Sequence, residues 1–366
     1  MNKLDVNLSK LSKILIITSI VILAMYLGRV ILIPLALAMF ISLFLYPVSA
    51  FFERRLPRVL SILLTFLLVI SIISGFSLLF GSILYQLFDD IKGFGNNIQE
   101  LFEKILKRSD NIIFPNGTGL DEIVKEEQDS LFRSGHIIES TILTSTRFIA
   151  SSVLVVVYTF LFLLYRSSFK KFILFHFQSQ KDNASEMLYN IQKVAQNYFY
   201  GLLIIILLLG ALNGFGLWII GINYPFLFGY LAAFLAVIPY IGTFIGGLLP
   251  VLYALINYDN IWMAVFILLW YVFVQAIEGN ILTPKIVGSK VSINPLFALI
   301  ALITGGMIWG ITGMIIFIPF IAMFKVVFDH IEELKPYGLL LSSDFGNNKL
   351  PLLRNLREKI QKKVNN

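Results

Sequence analysis

Residues 14–51 carry a single charged side chain, Arg29, in an otherwise apolar run. A helix that crosses the hydrocarbon of a bilayer needs about 20 consecutive apolar residues, so this run is too long for one crossing and too apolar for a soluble surface. Several further runs of similar character follow it. Water-soluble domains average about 45–50% apolar and about 25% charged residues. Here 57% of residues are hydrophobic and only 14% are charged. Lipid tolerates such outer faces, but only where every backbone group is hydrogen-bonded internally. These constraints predict an all-α polytopic membrane protein of about eight transmembrane helices.

The spans follow from the runs and their interruptions. Gly28-Arg29 and Pro34 divide the first run into helices at about 13–28 and 31–51, joined by a tight bend. Further spans are expected at about Val59–Leu79, Phe148–Tyr165, Tyr200–Ile220, Pro225–Ile256, Ile261–Leu282 and Leu296–Val327. The last is longer than one crossing, which predicts a broken or re-entrant piece in the C-terminal half. Lys3, Lys10 and Lys13 precede the first run with no small-residue cleavage site after it. It is therefore read as a retained span and not a cleaved signal.

Residues 84–147 differ in kind. Leu84, Leu87, Phe88, Ile91 and Phe94, then Ile98, Leu101, Phe102 and Ile105, recur at helical spacing, which predicts an amphipathic helix. Pro115-Asn116-Gly117 marks a turn, and Asp121 is placed to cap a second helix. The Asn116-Gly117-Thr118 sequon is explained by that turn alone. This insert holds 11 acidic and 7 basic residues and is expected outside, whereas Arg54, Arg55, Arg58, Arg166, Lys170 and Lys171 mark cytoplasmic segments. The chain thus divides into 1–83, an external insert at 84–147, 148–330, and a basic cytoplasmic tail at 331–366, with both termini inside. Leu353, Leu356, Ile360 and Val364 form one face of that tail, a pattern suited to a membrane surface or a partner helix. Arg29, Lys285 and Lys290 fall on the outer side in this arrangement and sit poorly with it.

Other chemistries are disfavoured. There is no cysteine, and the three histidines, His136, His176 and His330, lack ligand spacing, so no metal site or cofactor is expected. The net charge of +7 reads as cytoplasmic anchoring charge and not as a nucleic-acid footprint. No phosphate-cradling loop and no nucleophile elbow occurs, so no enzymatic activity is expected.

Polar or broken segments inside a bilayer are costly and therefore informative. Tyr271, Gln275 and Glu278 lie at i, i+4 and i+7 and share one helical face. A carboxylate at mid-membrane costs roughly 2.5–3.5 kcal/mol on insertion scales. It is expected to face a cavity, where it can carry a proton or coordinate a cation. Pro239-Tyr240-Ile241-Gly242 and the set Gly305, Gly306, Gly310, Gly313 and Pro319 interrupt two apolar runs. Paired breaks of this sort form many transporter sites, although small residues also serve close helix packing. Asn280 and Pro284 belong to a polar, proline-rich link expected either as an external loop or as a hairpin dipping into the membrane. Asn213 is a lone polar residue in an apolar run, suited to interhelical hydrogen bonding.

Glu278-Gly279-Asn280-Ile281-Leu282-Thr283-Pro284-Lys285-Ile286-Val287-Gly288, with Asn294-Pro295-Leu296 after it, resembles the signature of the autoinducer-2 exporter family. Gly305-Gly306-Met307-Ile308-Trp309-Gly310-Ile311-Thr312-Gly313-Met314 with Pro319, and the Pro239-Tyr240-Ile241-Gly242 break, are similar to it as well. Thr243 departs from the pattern, since many relatives carry proline there. The resemblance implies a transporter of the bacterial cytoplasmic membrane. Some relatives are described as exporting the furanone autoinducer-2, others as sodium or lithium/proton antiporters. Three functions are therefore open: an exporter of a small polar solute coupled to protons through Glu278, a monovalent cation/proton antiporter, and a non-transporting scaffold. The Leu84–Ile105 stripe is a candidate contact for a homo-oligomer.

Overall fold

The computed structural model describes residues 8–90, 134–177, 181–258, 260–288 and 293–343. The remainder of the amphipathic insert (91–133), including the Pro115-Asn116-Gly117 turn and Asp121, lies outside the described residues, as do Lys290 and the tail pattern at 353–364. The described chain is helical throughout: α1 Leu8–Leu27, α2 Arg29–Glu53, α3 Arg58–Asp90, α4 Ser134–His176, α5 Lys181–Ile220, α6 Pro225–Leu235, α7 Ile241–Asn257, α8 Ile261–Ile277, α9 Pro295–His330 and α10 Lys335–Leu341. Six stretches among the described residues are long and apolar enough to cross a membrane. Their outward side chains are large and apolar, among them Val153, Val156, Phe169 and Phe172 on α4 and Trp262, Phe266, Leu269 and Val272 on α8. A surface of this kind is stable against lipid.

The chain forms two compact units: Met1–Arg54, Thr159–Ile205 and Glu278–Asn366 make the first, and Arg55–Tyr158 with Ile206–Ile277 the second. In the first, Phe40 of α2, Ala195 of α5 and Ile316 and Met323 of α9 form a buried cluster, with Phe40 edge-on to Phe320 at 4.7 Å. Two prolines organise its polar contacts. A helical proline lacks the N–H that would bond the carbonyl four residues earlier. Pro47 thus leaves the Leu43 carbonyl free, and Gln196 Nε2 donates to it at 3.1 Å. Pro319 does the same to Ile315, whose carbonyl accepts from the Tyr198 hydroxyl at 3.1 Å. Near the end of α2, Arg166 pairs with Glu53 and lies over the Tyr46 ring, 4.6 Å from its centre.

Helix α9 is a hairpin, which is the break that its excess length over one crossing predicts. Gly310 has φ 62° and ψ −143°, a combination open almost only to glycine. The chain reverses there, and Gly305 and Gly313 pack so closely that a Cβ on either would strike the other's carbonyl. Both ends of the hairpin are held together: Asn294 N–H donates to the Leu341 carbonyl at 2.8 Å, and Ile293 bridges Ser342 just after α10. The segment therefore enters and leaves on one side. At its tip the Trp309 indole donates to the Met25 carbonyl at 3.0 Å, beside the interruption at Gly28.

The second unit holds another hairpin where one span was expected at Pro225–Ile256. Helix α6, roughly 16 Å long at 1.5 Å per residue, is about half the hydrocarbon thickness. It turns at 236–240 and returns as α7. Gly246 fits against Ala232, Phe228 packs on Tyr253 at 5.1 Å, and Asn223 N–H donates to the Tyr258 hydroxyl at 2.8 Å, so these two ends also meet.

Four further boundaries differ from the sequence reading. Helices α3 and α4 extend past the expected span ends into the insert, and α5 begins at Lys181, well before Tyr200. The tight bend expected at Gly28 is confined to that residue, the helical bonds continuing into and out of it. The Asn280/Pro284 link is not an open loop, because wider π-helical turns carry α8 on through Glu278–Leu282 and Pro284–Gly288.

Candidate functional site

Helices α5, α6, α7 and α8 of the second unit line a partly open cavity of about 20 Å³. Roughly 10–15 Å³ suffices for one water-sized occupant. Small residues create the space: Ala232, Ala233 and Ala236 line one wall. On α5, Gly210 and Gly214 let Gly229 of α6 approach backbone to backbone. Helix α8 is held against α5 by Trp270, whose ring lies against Gly216 and whose indole donates to the Leu212 carbonyl at 3.3 Å.

The polar lining comes from three helices: Asn213 on α5, Thr243 on α7, and Tyr271 and Gln275 on α8. No acidic or basic side chain lines it. Asn213 Oδ1 and the Tyr271 hydroxyl are buried without a hydrogen-bond partner. Leaving such a group unsatisfied costs about 1–3 kcal/mol, and natural interiors rarely tolerate it. Two in one cavity make an arrangement that can accept from, and donate to, a small polar ligand. Asn213 thus contributes an open acceptor here, where interhelical hydrogen bonding was expected of it.

The turn between α6 and α7 carries strain at the cavity rim. Tyr240 has φ 64° and ψ −56°, and Ile241 N–H donates to the Pro239 carbonyl at 2.8 Å. This is a γ-turn of the rare positive-φ kind, costing on the order of 1–3 kcal/mol in a non-glycine residue. The Thr243 hydroxyl donates to the Tyr240 carbonyl at 2.9 Å. Gly242 has no room for a side chain, because a Cβ would strike the Leu235 carbonyl.

The remaining sequence candidates are distributed differently. Glu278 opens the π-helical turns in the first unit, half-buried, and accepts from the Thr283 hydroxyl at 3.0 Å. The i to i+5 spacing of a π-helix brings those two together. Asn280 and Pro284 are exposed. Gly305 and Gly313 serve packing within the α9 hairpin, Gly306 faces Met314, Gly310 makes the reversal, and Pro319 is buried within the second arm. Thr243, Gln196 and Tyr198 did not stand out as site residues in the sequence. The signal that finds the last two is a donor able to reach the carbonyl four residues before a helical proline.

The family model described as AI-2E family transporter matches residues 15–333. YrrI of Bacillus subtilis (strain 168), whose name gives transport and no substrate, is 31% identical over 84% of this chain and 88% of its own length. YueF of the same organism, also named for transport, is 27% identical over 82% of this chain and 84% of its own. TqsA of Escherichia coli (strain K12), named an AI-2 transport protein, is 24% identical over 85% of this chain and 89% of its own. With the family model spanning nearly all of the sequence, the chain belongs to the AI-2E family of membrane transporters.

Proposed function

We propose that the protein is a secondary transporter exporting a small, uncharged polar metabolite such as autoinducer-2, with the Asn213/Tyr271 cavity as a solute contact. The observation that carries this reading is the pair of buried, unpartnered oxygens on two residues that line one cavity. One hydroxyl group of a solute, the size of occupant that the cavity admits, supplies both missing hydrogen bonds. The name of TqsA, an AI-2 transport protein, points to the same class of solute. The neutral lining disfavours a bare cation at this site, since such ions gather several oxygen ligands, usually with carboxylate charge.

Coupling is assigned to Glu278, the carboxylate of the signature, through protonation changes during the cycle. Its hydroxyl partner Thr283 also gives a sodium or lithium/proton antiporter its starting point, with the carboxylate and Thr283 as direct ligands. The proposed orientation puts the basic segments 54–58 and 166–171 and the C-terminal tail in the cytoplasm. The one-sided α9 hairpin moves Lys285 to the side of the tail, which removes its conflict with that rule. The membrane is taken to be the bacterial cytoplasmic membrane, and the assembly to be a homo-oligomer.

The test is efflux from proteoliposomes under an imposed proton gradient. Wild-type protein is expected to release autoinducer-2, and Glu278→Gln to lose the gradient dependence. Gradient-driven efflux by Glu278→Gln at the wild-type rate would remove the coupling role. Sodium-dependent pH changes without solute flux would favour the antiporter instead.

A further inference from the structure

We propose that the γ-turn at Tyr240 is the gate of the Asn213/Tyr271 cavity, and that the strained conformation of the turn is its narrowed position, from which the hairpin tip opens further. Three observations meet at this turn. Its backbone is held at φ 64° and ψ −56° in a residue with a side chain, a conformation that persists only where its surroundings impose it. The Tyr240 ring is 71% exposed, so burial of that side chain does not hold the turn. The residues on either side, Ala236 and Thr243, are themselves part of the cavity wall. The hydrogen bond from the Thr243 hydroxyl to the Tyr240 carbonyl joins strain and wall in one contact.

Opening the turn relaxes Tyr240, releases Thr243 and withdraws two wall residues from the cavity together. Narrowing it restores the strain, which favours reopening once a ligand has left. Tyr240 is thus a positioning residue acting through its backbone, with Thr243 as the latch. The biological meaning of the gate rests on the cavity being the solute contact, but the gate itself is a property of the turn.

The native chain has no cysteine, so Ala236→Cys gives a single reporter in the cavity wall. Its reaction rate with a small methanethiosulfonate reagent, in purified protein without solute, measures how often the cavity opens further. Tyr240→Gly removes the strain of the narrowed turn and is expected to slow labelling by roughly fivefold or more. Tyr240→Ala keeps the Cβ and its strain and is expected to label as wild type. Thr243→Val removes the latch and is expected to speed labelling, giving a second readout independent of the glycine variant. Equal rates in all variants, or slowing by alanine as large as by glycine, would overturn the gate. If this labelling pattern holds while no solute flux is found, the transport reading fails and the gate stands.

Discussion

A phenol oxygen buried without a partner lowers the stability of the protein that holds it, and a ligand that satisfies it recovers the difference. Tyr271→Phe separates the two effects. It is expected to stabilise the ligand-free protein by about 1 kcal/mol or more, seen as a raised thermal midpoint, while reducing solute transport. A lowered midpoint would show that the hydroxyl is satisfied within the protein. Packing residues behave in the opposite way. Gly216→Ala places a methyl group into the Trp270 ring and is expected to destabilise by about 1–3 kcal/mol, through displacement of the wall that carries Tyr271. At this scale the sequence was partly legible. Tyr271 and Gln275 stood out because helical spacing puts them on one face, and both line the cavity. Glu278 shared that face by ideal geometry, but the helix widens at that residue and i, i+7 spacing no longer describes it. Thr243 drew notice only as a departure from the family pattern, since a side-chain bond to a strained carbonyl leaves no periodic trace.

At the scale of elements, α2 and α9 each contain a proline whose orphaned carbonyl is filled from α5. This arrangement makes a double-mutant cycle decisive. Tyr198→Phe leaves the Ile315 carbonyl unsatisfied and is expected to cost about 1–3 kcal/mol in unfolding experiments. In a Pro319→Ala background the restored helical N–H satisfies that carbonyl, and the cost of Tyr198→Phe is expected to fall by about half or more. Additive effects of the two changes would show that the hydroxyl and the proline act separately. Hydropathy revealed that these runs are membrane helices but could not tell a crossing from a hairpin. An apolar run reads alike whether the chain passes through the bilayer or turns at Gly310 and returns. What distinguishes them is the closing of their ends, through Asn294 with Leu341 and Asn223 with Tyr258, and these are contacts between residues far apart in sequence.

For the whole molecule, the class was legible because lipid-facing helices need long apolar runs, and the family was legible because the signature around 278–296 is dense and specific. The order of crossings was not, since it depends on the two hairpins. Sidedness tests it with the same cysteine-free background. Lys285→Cys and Ser343→Cys are expected to react with a membrane-impermeant thiol reagent from the same side of sealed vesicles. Reaction from opposite sides would turn α9 back into a crossing. The central claim is that the cavity with two unpartnered oxygens contacts the transported solute. Its most direct test is autoinducer-2 efflux from proteoliposomes by wild type, Asn213→Ala and Tyr271→Phe, compared at equal amounts of folded protein. Wild-type efflux with roughly tenfold or greater loss in each variant, the effect of one lost hydrogen bond worth about 1.4 kcal/mol, is the predicted result. Wild-type efflux that both variants retain in full would contradict it.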